Sequence, residues 1–286
     1  MRIAWIGLGL MGSRMVQHLT RFHEVHVYNR TMSKSEALKD LVHVHTSIPS
    51  CVKNAEIVIM MLSTPDVVKQ IFSKEVLPHI NKGTVIIDMS TNLPSLTQEL
   101  YELAKSSNCH WIDAPVSGGL NGAQNATLSI MVGGDASIVK QRMALLELMG
   151  SKVIYCGPSG HGQHTKMANQ ISVATNLAGL LESMEYAKHA NLKLNDVLTL
   201  LNQGAASSWQ SIHNGPLYLQ EDLNPGFIFT HFLKDLRCVM HEANLRQLHL
   251  PVVEKITSMV ESIINDDNQN LSTLALVEYY HKHQPK

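Results

Sequence analysis

The stretch Arg2-Ile3-Ala4-Trp5-Ile6-Gly7-Leu8-Gly9-Leu10-Met11-Gly12 decides the fold. A short apolar run of strand character leads straight into a G-x-G-x-x-G spacing, and Ser13-Arg14-Met15 then opens a helical stretch. Each glycine has its own reason. The first permits a tight turn, the second lets the backbone approach a pyrophosphate, and the third lets helix pack close to strand. The amides at the helix start add partial positive charge for the phosphates. The spacing alone is a weak signal; directly after a first strand and ahead of a second one, it is the context of a dinucleotide loop. Gly7, Leu8, Gly9, Leu10, Met11 and Gly12 are therefore candidate cofactor-binding residues.

The end of the second strand reads Tyr28-Asn29-Arg30-Thr31. An enzyme selective for NAD usually places an acidic residue here for the ribose 2′-hydroxyl. This chain offers neutral Asn29, then Arg30 and the hydroxyl of Thr31. An acid would repel a 2′-phosphate, whereas an arginine pairs with it bidentately. The expected cofactor is NADP(H), with NAD possible.

Further strands are predicted at Ile3–Ile6, Glu24–Tyr28, Ile57–Met61, Val85–Asp88, His110–Asp113, Leu128–Val132 and Val153–Tyr155. Segments long enough for crossover helices separate the early ones, which predicts a parallel, doubly wound α/β sheet. Strand signals stop after the loop Gly157-Pro158-Ser159-Gly160-His161-Gly162. From there Met167, Ile171, Ala174, Leu177, Leu181 and Met184 recur at helical spacing. Helical stretches follow at Asn195–Asn202, Phe229–Leu248 and Val252–Asp266, punctuated by Pro216, Pro225 and Pro251. The expectation is a Rossmann-like domain over 1–162 and an all-helical domain over 163–286, with the substrate in a cleft between them.

Among 286 residues the formal net charge is -1 and the hydrophobic content 44%, which predicts a globular chain without the basic face that nucleic acid requires. No apolar run approaches the roughly 18 residues of a membrane span. The cysteines Cys51, Cys109, Cys156 and Cys238 show no C-x-x-C spacing and follow no secretory leader, so a cytoplasmic protein with reduced thiols is expected. The pairs His23/His26, His43/His45, His161/His164 and His281/His283 lack zinc-site spacing and are read as surface or loop histidines, with no metal expected.

The motifs, in order, resemble those of the β-hydroxyacid dehydrogenases: 3-hydroxyisobutyrate dehydrogenase, tartronate semialdehyde (2-hydroxy-3-oxopropionate) reductase, glyoxylate/succinic semialdehyde reductase and, more distantly, 6-phosphogluconate dehydrogenase. They are the glycine loop through Met15; Met61-Leu62-Ser63; Asp88-Met89-Ser90-Thr91; Asp113-Ala114-Pro115-Val116-Ser117-Gly118-Gly119; Lys166-Met167-Ala168-Asn169-Gln170; and Pro225-Gly226-Phe227 with Lys234-Asp235-Leu236. The resemblance implies a hydride transfer between a small β-hydroxy acid and its aldehyde acid. Lys166 is then the acid/base, its pKa lowered by desolvation.

It further implies that Ser117, Gly118 and Gly119 grip the substrate carboxylate. Asn169 and Gln170 share a helix face with Lys166 and, with Phe227 and Asp235, line the substrate. Met61, Leu62, Ser63, Thr91 and Lys234 contact the cofactor, Met11 packs near its ring, and Asp113 is structural. Gln170 resembles the tartronate semialdehyde reductases, whereas Asn29-Arg30-Thr31 looks more like the glyoxylate/succinic semialdehyde branch. Partners implied are a small carboxylate-bearing aldehyde or hydroxy acid and further copies of the chain, as a homodimer or homotetramer. Two rivals share the fold: an imine reductase, which typically replaces the lysine, and a non-catalytic NADP-binding module, which an intact Lys166 disfavours.

Overall fold

The structure, a computed structural model, describes residues 1–224 and 226–283. Pro225, which heads one of the motifs above, lies outside the described residues. The chain forms two compact units, Met1–Lys166 and a second from Met167 onward.

The first unit is built on strands β1 (Arg2–Ile6), β2 (Glu24–Tyr28), β3 (His43–Val44), β4 (Ile57–Met60), β5 (Val85–Asp88), β6 (His110–Asp113), β7 (Val116–Ser117), β8 (Ser129–Gly134) and β9 (Lys152–Gly157). They form one sheet in the order β3-β2-β1-β4-β5-β6-β8-β7, with β9 on β8. From β3 to β6 every pairing is parallel, in the strand order of a dinucleotide-binding sheet. Beyond β6 the doubly wound sheet becomes mixed. There β8 runs antiparallel to both β6 and β7. Residues 118–128, which carry only the helix Gly119–Gln124, are too short for the crossover that a parallel neighbour requires.

Strands β4 and β5 are buried at every position, as expected of parallel strands covered on both faces. Alternation along β1 feeds the two cores. Ile3 and Trp5 join one cluster with Val25, Val27, Ile59 and Ile87. Ala4 and Ile6 join the other with Val58, Ile86, Phe72 and Trp111. Each large side chain so buried contributes about 1.5–3 kcal/mol. Trp5 is fully buried and still satisfied, because its indole N–H donates to the Gly7 carbonyl at 2.8 Å.

The long helix His161–His189 leaves the first unit and opens the second. Of the periodic positions Met167, Ala174, Leu177, Leu181 and Met184 are buried along it, and Ile171 is half-buried. The helices Leu194–Gln203, Phe229–Leu245 and Pro251–Ile263 correspond to the expected stretches, the first one residue longer at each end and the other two ending three residues earlier. A further helix, Trp209–Leu219, was hidden by Gly215 and Pro216. It forms because Ser208 and Ser211 cap its start reciprocally, at 3.0 and 2.9 Å, satisfying amides that would otherwise be orphaned. None of the described helices is long and apolar enough to cross a membrane.

Candidate functional site

The glycine loop has the steric character its spacing demands. Gly7 sits at φ +102°, and a Cβ there would lie 2.2 Å from the Met61 carbonyl oxygen. A Cβ on Gly12 would lie 2.2 Å from the Gly7 carbonyl oxygen, whereas at Gly9 it would meet nothing within 4 Å. Gly7 and Gly12 thus serve internal packing, and Gly9 leaves open space on the loop. That combination fits a pyrophosphate approaching the backbone. Leu8 is buried and its amide donates to the Asn29 side-chain oxygen at 2.9 Å, while the Asn29 amide donates to the Thr31 carbonyl at 3.0 Å. Asn29 therefore braces the loop against the end of β2.

Leu10 is exposed, and Met11 packs on the core. Arg30 and Thr31 are exposed after β2, and no described residue pairs with the Arg30 guanidinium. Met61 and Leu62 pack against the two cores. The Leu62 amide donates to Ser90 Oγ at 2.8 Å, and Ser63 is exposed.

Asp88 and Asp113 are paired in register at the ends of β5 and β6, and both are fully buried. Asp113 accepts the Gly160 amide at 2.8 Å and the Gln163 amide at 2.9 Å, which fixes the start of the Lys166 helix. The fit is close: a Cβ on Gly133 or Gly162 would come within 2.7 Å of its carboxylate. Asp113 is thus a structural residue, as expected. Asp88 accepts the Ser90 amide at 3.1 Å and the Asn92 side chain at 3.2 Å. Burial pushes both carboxyls up to about 6 against these hydrogen bonds.

Gln163, fully buried, was not among the expected site residues. It donates to the Ser90 carbonyl at 2.8 Å and accepts the Asn92 amide at 3.0 Å, so the loop carrying Thr91 is tied to the Lys166 helix. Lys166 itself is 6% exposed, and its ammonium donates to the Val116 carbonyl at 2.9 Å. That contact places it one residue from Ser117. Gly118 and Gly119 follow with φ of +131° and +63°, backbone conformations that a side chain would strain.

In the second unit four expected residues form a chain of contacts. Asn169 donates to Gln170 at 2.9 Å, Gln170 donates to Asp235 at 2.7 Å, and Lys234 pairs with Asp235 at 2.7 Å. Phe227 is half-buried and meets Phe232 edge-on, with ring centroids 6.0 Å apart.

Residues 2–157 match a family model described as the NAD binding domain of 6-phosphogluconate dehydrogenase. Residues 160–280 match one described as NAD-binding of NADP-dependent 3-hydroxyisobutyrate dehydrogenase. The chain belongs to the β-hydroxyacid dehydrogenase family. This β-hydroxyacid dehydrogenase is 38% identical to a probable 3-hydroxyisobutyrate dehydrogenase-like protein of Arabidopsis thaliana, over 96% of this chain and 84% of the relative. It is 33% identical to the 2-hydroxy-3-oxopropionate reductase of Escherichia coli, over 97% and 96%. A solved structure of Mycobacterium tuberculosis 3-hydroxyisobutyrate dehydrogenase with L-serine superimposes with a TM-score of 0.89 at 30% identity, covering 98% of each chain. The dehydrogenase is accordingly an oxidoreductase with a pyridine-nucleotide domain.

The histidines of this dehydrogenase correct one expectation. His26 is not a surface or loop residue but lies buried on β2, stacked on His43 with ring centroids 4.6 Å apart. Parallel pairing of β2 with β3 puts His26 opposite His43. Sequence spacing, which searches for ligands along one segment, does not register a cluster assembled across two strands.

Proposed function

We propose that this family member interconverts a short aldehyde acid and the corresponding hydroxy acid, prefers NADP(H), and uses Lys166 as proton donor and acceptor. The observation that carries the reading is the buried Lys166 ammonium, anchored on the Val116 carbonyl beside Ser117-Gly118-Gly119. When bound, the cofactor supplies or accepts the hydride at the substrate carbonyl carbon. Lys166 gives its proton to the carbonyl oxygen as that carbon is reduced, and takes it back from the alcohol in the reverse direction. Its charge stabilises the oxygen while the carbon–oxygen double bond opens. The Ser117 hydroxyl and the Gly118 and Gly119 amides hold the carboxylate, and Asn169, Gln170, Phe227 and Asp235 complete the substrate contacts.

The L-serine in the Mycobacterium structure is itself a β-hydroxy acid, which supports that substrate class. Gln170 favours 2-hydroxy-3-oxopropionate among the candidates, with 3-hydroxyisobutyrate and the glyoxylate/succinic semialdehyde pair as the other branches. For the cofactor, the glycine loop, Asn29-Arg30-Thr31, Met61-Leu62-Ser63, Thr91 and Lys234 form the proposed contacts, with exposed Arg30 assigned in this reading to the 2′-phosphate.

Lys166→Ala is expected to lower kcat by at least about 10²-fold while NADPH affinity, read by fluorescence titration, is unchanged. A variant that keeps most of its kcat removes Lys166 from the mechanism. Arg30→Ala should raise KM for NADPH by about ten-fold or more and leave KM for NADH nearly unchanged; equal effects on both would remove Arg30 from 2′-phosphate recognition. Assembly into a homodimer or homotetramer is supported by the exposed Tyr186, Leu200 and Trp209 of the second unit, and sedimentation as a monomer alone would contradict it.

A further inference from the structure

Away from the residues assigned above, the β2/β3 edge of the sheet gathers four side chains on one face. Glu24 and His26 alternate along β2, and His43 stands opposite His26 on β3. His45 follows, its amide donating to the Val27 carbonyl at 3.0 Å. Glu24, His26 and His43 each offer a ligand atom, and these atoms lie within 4.8 Å of one another. His26 Nε2 is 2.7 Å from Glu24 Oε1, and His26 Nδ1 is 2.8 Å from His45 Nε2. Arg2 also meets Glu24 Oε1, at 3.1 Å, and is anchored by its Nε on the Lys53 carbonyl at 3.0 Å.

The proton inventory of this cluster points in one direction. Ser50 has a single hydroxyl proton, and it is directed to the Ser47 carbonyl at 2.9 Å, while Ser47 Oγ donates to Ser50 Oγ at 2.9 Å. With the hydroxyl so directed, His45 Nδ1, 3.2 Å from Ser50 Oγ, is the donor in that contact. A neutral His45 presents a bare Nε2 to His26, so His26 Nδ1 carries the proton. That leaves the His26 Nε2 lone pair beside the Glu24 carboxylate at 2.7 Å, a contact that a shared proton satisfies as it stands and that a metal ion satisfies once Glu24 rotates outward. A ligating histidine typically donates its other ring N–H to an acceptor that fixes its tautomer, and His45 stands in that role for His26.

We infer that Glu24, His26 and His43 form a binding site for a divalent transition-metal ion of the zinc class, with His45 as the partner that orients His26. Two imidazoles and a carboxylate are a donor set such ions accept. Metal–ligand bonds of about 2.0–2.1 Å in a tetrahedron put ligand atoms about 3.3 Å apart. Exposed Glu24 and His43 can rotate into that spacing around buried His26, and water completes the fourth position. The ion would clamp the two-residue edge strand β3 to β2.

The test is a zinc titration of the chelator-stripped full chain in competition with a chromophoric chelator. His43 is exposed, so His43→Gln leaves the core intact, which circular dichroism verifies. The expected result is one tightly held zinc per chain in the wild type, weakened at least ten-fold in His43→Gln and in Glu24→Gln, and unchanged in His161→Asn at the unrelated histidine pair. His45→Phe should weaken binding about ten- to a hundred-fold, as loss of an orienting partner does. Zinc bound no tighter than millimolar by the wild type would overturn the proposal, and so would His43→Gln and Glu24→Gln chains that keep the same stoichiometry and affinity.

Discussion

In the sheet unit the candidate residues are held by backbone. Gly7 and Gly12 exist because a neighbouring carbonyl occupies the space of a Cβ, and the Lys166 helix starts where Asp113 takes up two amides. In the helical unit Asn169, Gln170, Lys234 and Asp235 are held by one another's side chains. The difference shows in the sequence. A steric demand on backbone admits only glycine, so it leaves a spaced signature. A side-chain chain of contacts admits many residue types, and only resemblance to a family made this one visible.

The largest effect expected from that contrast is at Gly7. Gly7→Ala forces a Cβ to within 2.2 Å of the Met61 carbonyl oxygen at φ +102°, and should destabilise the chain by about 4–5 kcal/mol, the upper end for a single substitution. Gly9→Ala, with open space at its Cβ, should fold normally and lose NADPH affinity instead. Equal thermal midpoints for the two variants would show that the steric division within the loop is wrong.

Asp113→Asn comes next. It sets an amide N–H against one of two backbone donors, a loss of about 1–3 kcal/mol measurable by chemical denaturation. The pH dependence carries a sign. The folded carboxyl titrates at about 6 against a reference of 3.8, through burial. The native state therefore binds the proton more readily between those values. Its contribution is largest below about 4 and declines as pH rises through 6. Asp113→Asn should flatten that decline; an unchanged slope would mean Asp113 does not titrate there.

The smallest effect belongs to the helical unit. Gln170→Ala breaks the middle of the Asn169–Gln170–Asp235 chain and should raise KM for the aldehyde acid a few-fold, about 1 kcal/mol. KM for NADPH should stay put, and a change confined to NADPH would assign Gln170 to the cofactor instead.

The strands β1, β2, β4, β5 and β6 and the long helix are legible because each carries a local signal, a short apolar run for the strands and a helical period for the helix. β3 and β7 span two residues apiece, too few for a period, and exist only through their neighbours. Trp209–Leu219 was lost behind Gly215 and Pro216, where reciprocal serine caps outweigh the breaker signal. The glycine loop, Lys166 and the Ser117-Gly118-Gly119 turn were visible as motifs. Gln163 was not, because its partner Asn92 lies 71 residues away and nothing local marks it. The Glu24–His26–His43 cluster was hidden for the same reason, since strand register alone brings its members together.

The first measurement to make is loss of NADPH absorbance, and of NADH in parallel, on adding tartronate semialdehyde, succinic semialdehyde, glyoxylate, methylmalonate semialdehyde or a cyclic imine. Turnover of at least one aldehyde acid, faster with NADPH and with the imine inert, is the predicted result. Consumption of the imine alone, or of none of the five despite tight NADPH binding, would contradict the assignment of Lys166 as the acid/base of an aldehyde-acid reductase.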